Sequence, residues 1–151
     1  MRLLTTTAIA AGVAAMFAIG FVSTDGMAQD VAAAVKARQD LMKSNGASMQ
    51  KINQATDMAA VKEAAATLQD NANKLGDLKL WPAGSNTDTS RAKPEIWQNV
   101  PDFTAKLGAL KAEETKLAAA TDVAGAKDQA KAVLGACGAC HNAYRGPEKG
   151  K

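Results

Sequence analysis

The apolar residues of this chain recur in steps of three and four, and that spacing leaves few folds open. In one segment Val31, Val35, Arg38, Met42, Asn45, Met49 and Ile52 keep the period; in a second, Met58, Val61, Ala65, Leu68, Ala72 and Leu75. A third carries Ile96, Val100, Phe103, Leu107, Leu110 and, seven further on, Leu117. The fourth carries Val123, Ala126, Ala130, Val133, Cys137, Cys140 and Tyr144. Such steps return to one face of an α-helix, so each segment predicts an amphipathic helix with one buried stripe. Ala, Lys, Gln and Glu fill the other faces, and all favour helix. No segment alternates with period two, so strands are not indicated.

The punctuation agrees with this reading. Between the second and third segments lies GDLKLWPAGSNTDTSRAK, a loop rich in Pro, Gly and small polar residues. Pro94 suits the first turn of the third helix, whereas Pro101 requires a kink or a restart. Asp122 is placed to cap the fourth helix and Gly146-Pro147 to end it. Four helices of roughly 20 to 28 residues, with two tight connections and one long one, predict an all-α antiparallel four-helix bundle.

Residues 1–28 have a different character. Arg2 is followed by an apolar, small-residue stretch from Ala8 to Val22, then by a polar segment ending in Gly26-Met27-Ala28. That order predicts a secretory signal peptide cleaved after Ala28, leaving residues 29–151 as a single domain bound for the periplasm. The apolar run of about fifteen residues is short of the roughly twenty a membrane span needs, so no membrane insertion is expected after cleavage. Arg2 and Asp25 cancel, and the remainder keeps the net charge of +3. Those charges are interspersed without a basic run, which argues against a nucleic-acid partner. Glu113, Glu114 and the scattered lysines read as a solvated face, mildly basic and able to steer an acidic protein partner.

The chemistry is concentrated in Cys137-Gly138-Ala139-Cys140-His141, which holds both cysteines and the single histidine of the chain. On a helix these three side chains project from one side, turned toward the bundle interior. C-x-x-C-H is the attachment signature of c-type haem: two thiols add to the haem vinyl groups, and the imidazole becomes the proximal iron ligand. A disulfide is possible chemistry in an oxidising compartment. A thioredoxin-like pair would want a βαβ setting, and structural zinc would want four ligands. Trp81 and Trp97 read as core or lid. No carboxylate pair or nucleophile–base set can be argued, so no enzyme is expected.

A haem motif at the C-terminal end of a four-helix bundle resembles the cytochrome c-prime family, the class II c-type cytochromes. ARQDLMKSNGASM, LWPAG, AKPEIW and CGACHNAYR occur in the order of that family and look like its cytochrome c-556 branch. The resemblance implies one covalent haem c held between helices near the C-terminal end. It implies a periplasmic protein that exchanges electrons with redox partners, as a monomer or a homodimer. In the low-spin c-556 type a methionine four residues after the helix-one arginine, here Met42, is the distal iron ligand opposite His141. Met49 and Met58 are lesser candidates. In the five-coordinate, high-spin type that position is open to nitric oxide or carbon monoxide. Arg38 has two readings, a contact with a haem propionate or an extension to solvent. Arg145, one turn past His141, either nears the proximal face or is exposed.

Overall fold

The computed structural model describes residues 24–148; residues 1–23, most of the expected leader, lie outside them. Five α-helices follow one another: α1 (Thr24–Gln54), α2 (Met58–Leu75), the one-turn α3 (Glu95–Gln98), α4 (Val100–Ala118) and α5 (Val123–Tyr144). The four long ones form the antiparallel bundle, with α1 packed chiefly on α2, α5 on α4, and α2 on α4. Among the described residues no helix is long and apolar enough to cross a membrane.

The tight connections are capped as their sequences require. Asp57 accepts a hydrogen bond from the Ala60 amide at 2.9 Å, and Asp122 from the Gly125 amide at 2.8 Å. Each satisfies an amide that the first helical turn would otherwise leave unpaired. The third segment restarts as expected. Asn99 (φ −134°, ψ 61°) separates α3 from α4, accepts from the Asp102 amide, and leaves Pro101 in the first turn of α4. A missing amide proton costs nothing there.

Two apolar clusters divide the interior. One, around Ile52, Val61, Leu68, Leu117 and Val133, fills the end nearest the tight connections. The other, Leu75, Ile96, Phe103, Leu107 and Tyr144, lies beneath the long connection. That connection contains a 3₁₀ turn (Leu78–Leu80), and Gly84 holds φ +77°, a conformation that residues with a Cβ rarely adopt.

Two sequence expectations need correction. Glu114 does not join Glu113 on a solvated face: it is 1% exposed. It lies four residues after Leu110, in register with the stripe, so helical geometry turns it inward. In α1 the buried line runs through Ala34, Val35, Arg38, Ser48 and Ile52, and Met42 is 36% exposed at its edge. Leu41, beside it, packs on the second cluster instead.

Candidate functional site

Cys137, Cys140 and His141 occupy the last two turns of α5, each partly buried. Cys137 packs against the first apolar cluster and Cys140 against the second, so the pair sits at their seam. Both thiols are free. Burial pushes both thiol pKa values up; the charge of Glu114 adds to this at Cys137, as that of Asp102 does at Cys140. Neither is the depressed-pKa thiol of a redox exchange enzyme. Burial lowers the pKa of the His141 imidazole, and the charges of Arg145 and Arg91 lower it further. A neutral imidazole keeps a lone pair for a metal.

The C-terminal end of α5 is held from several directions. Arg145 leaves helical geometry and forms an antiparallel bridge with Ala92. The Lys93 amide donates to the Tyr144 carbonyl at 2.9 Å, and the Gly146 amide to the Arg91 carbonyl at 2.7 Å. Arg91 Nε donates to the Gly146 carbonyl at 2.9 Å. The Tyr144 hydroxyl donates to Asp102 Oδ2 at 2.5 Å, which lowers the Asp102 pKa and raises that of the tyrosine to about 12. Phe103 sits between Trp81 and Tyr144, edge-on to both, at centroid distances of 4.7 and 5.3 Å. The indole of Trp97 donates to the Trp81 carbonyl, and that of Trp81 to the Leu75 carbonyl. Both tryptophans are partly buried and pack on the second cluster, as core or lid residues should.

Arg38 does not extend to solvent; it is 5% exposed. Its Nη1 donates to the Leu80 carbonyl at 2.5 Å and to Ser85 Oγ at 2.9 Å. Its Nη2 donates to the Ser85 carbonyl at 2.8 Å and to Ser90 Oγ at 3.4 Å. The guanidinium lies 4.6 Å above the Trp81 ring. Burial lowers its pKa to about 10, and its hydrogen-bond acceptors are carbonyls and hydroxyls, not carboxylates. Ser85 and Ser90 carried no sequence signal beyond membership of a polar loop. Arg145 itself is exposed.

Met42 lies one turn beyond Arg38 on α1, with a substantial part of its side chain uncovered by the chain. Met49 is partly buried against the first cluster. With Gln50, Asn53, Lys127, Ala130, Lys131 and Leu134 it lines an open groove of about 450 Å³ between α1 and α5. The groove stops short of Cys137. Met58 packs on the first cluster as an ordinary core residue. Two free thiols and a neutral imidazole on one helix flank are the donor set that a covalently held haem requires, so the residues fit that group.

Comparison with known proteins supplies the family. Residues 33–145 match the family described as Cytochrome C'. The chain is 38% identical over 119 residues to cytochrome c-556 of Agrobacterium fabrum, covering 74% of this chain and 80% of that one. The cytochrome c' of Thermochromatium tepidum superposes with a TM-score of 0.68 at 28% identity, over 76% of this chain and 95% of that one. A nitric oxide complex of a cytochrome c prime variant from Alcaligenes xylosoxidans gives a TM-score of 0.65 at 26% identity, over 76% and 94%. The chain belongs to the cytochrome c' family and carries one covalently attached haem c.

Proposed function

We propose that this protein is a periplasmic one-electron carrier whose haem is joined to Cys137 and Cys140 and ligated by His141 and Met42. The observation that carries the reading is the placement of both cysteines and the single histidine on one flank of α5, at the seam between the two apolar clusters. Methionine opposite histidine is a ligand pair that raises the potential of haem iron and suits electron transfer. Met42 is an exposed large apolar side chain on a helix that packs along α5, so its thioether is available to such a partner. Similarity to the c-556 type favours the same pair.

Arg38 takes a structural role. Four of its five N–H groups are already accepted by the long connection, so its function is to hold that connection on α1 one turn before Met42. The alternative reading, a five-coordinate protein that binds nitric oxide, is favoured by the similarity to the Alcaligenes complex and by the displacement of Met42 from the buried line of α1.

Intact mass spectrometry tests the attachment: the protein expressed with haem-attachment machinery should gain one haem, and a Cys137→Ala, Cys140→Ala double variant should gain none. Carbon monoxide separates the two ligand readings. Reduced wild-type protein should bind it slowly and Met42→Ala immediately; equal, immediate binding by both would count against Met42.

A further inference from the structure

Glu114 is the buried residue whose side-chain polar atoms are without partners among the described residues. It is 1% exposed, and neither Oε1 nor Oε2 has a hydrogen bond. An ionised carboxylate in that position is costly unless it binds a proton or meets positive charge. Burial raises its pKa to about 7, with the charge of Lys111 opposing. The Lys111 ammonium, however, lies against Gly76 at the C-terminal end of α2, where a methyl group on the glycine would come within 2.8 Å of its Nζ. From α2 the cleft beside Glu114 receives the uncharged Gln69 and Asn73. From α5 the titratable neighbour is Cys137, whose thiol feels the charge of Glu114. That cleft, about 220 Å³, is completed by Lys111 and Thr115 and borders Glu114, whose carboxyl oxygens are themselves covered. No group of three potential metal ligands exists among the described residues.

We propose that Glu114 is a proton-binding site linked to the redox state of the haem: its carboxylate takes one proton from solvent as one electron arrives from a redox partner, and returns it when the electron leaves. The inference rests on attachment at Cys137, which packs against the same apolar cluster as Leu110 and Leu117, the residues that flank Glu114 on the buried stripe of α4. One electron lowers the positive charge of the centre by one. A nearby carboxylate therefore favours the oxidised state and its neutral acid the reduced state. By linkage, the proton is bound more tightly after reduction.

The test is potentiometry of the haem-loaded protein between about pH 5 and pH 9, the range that brackets a carboxyl displaced to neutrality. The wild-type midpoint potential should fall as pH rises through neutrality. Glu114→Gln should lose that fall and stay near the wild-type acid limit. Infrared difference spectra of the wild type should show a protonated carboxyl band appearing on reduction. A potential independent of pH in the wild type, or an unchanged slope in the loaded variant, would overturn the proposal while leaving haem attachment intact. A chain that takes up no haem would overturn both.

Discussion

Arg38 and Glu114 are two buried ionisable residues without a salt bridge among the described residues, and they carry different costs. Arg38 is solvated by the chain itself, through four hydrogen bonds and the face of Trp81. Removing it strands the Leu80 and Ser85 carbonyls, so Arg38→Met should destabilise the protein by about 3 kcal/mol in a denaturant titration. Arg38→Lys should recover only part of this, because an ammonium cannot reproduce the planar fork. Glu114 has no such compensation. Burial raises its folded pKa to about 7, above the ordinary glutamate value of 4.5, so the folded state holds the proton more tightly. Its stabilising contribution is complete below pH 4.5 and is lost as pH rises toward 7. Glu114→Gln should therefore raise the melting temperature at pH 8 and change it little at pH 4. The gain at pH 8 should be about 2 kcal/mol, allowing for solvent in the cleft. The inward turn of Glu114 was readable from the sequence, four residues after Leu110, but its charge argued for the surface. The partners of Arg38 were not readable, because they come from a loop without periodicity, more than forty residues away.

At the level of the elements, the periodic residues specify α2, α4 and α5 closely. Val61, Ala65, Leu68, Ala72 and Leu75 are all buried, as are Ala126, Ala130, Val133 and Tyr144. Asp122 begins the helix that bears the whole haem motif, and it does so through one hydrogen bond to Gly125. Asp122→Ala should cost about 1 kcal/mol in thermal or denaturant unfolding, the usual worth of an N-cap. Register in α1 was harder to read. The period placed Met42 on the buried stripe, whereas Met42 is 36% exposed and Leu41 turns toward the second cluster. Packing against α2 and the long connection selects Leu41. The division into α3 and α4 was legible in Pro101, since a proline in mid-helix would clash with the preceding turn.

Across the whole molecule the two ends are built differently. The end with the tight connections is closed by the larger apolar cluster. At the other end the long connection ties α1 to α5, through Arg38 at one side and through residues 91–93 with Tyr144 and Gly146 at the other. The helices that carry Met42 and His141 are thus fastened to one loop. The bundle and the attachment motif were legible in the sequence because both are local patterns; this tie was not, because it joins residues distant in the chain. Covalent haem should also stabilise the fold, because a group held by the folded chain favours the folded state. The Cys137→Ala, Cys140→Ala double variant should melt at a lower temperature than the loaded wild type by calorimetry. The central assignment, His141 and Met42 on one iron, is tested most directly by electron paramagnetic resonance of the oxidised, haem-loaded protein at neutral pH. A low-spin ferric signal that becomes high-spin in Met42→Ala is the expected result, and a high-spin signal from the wild type would contradict it.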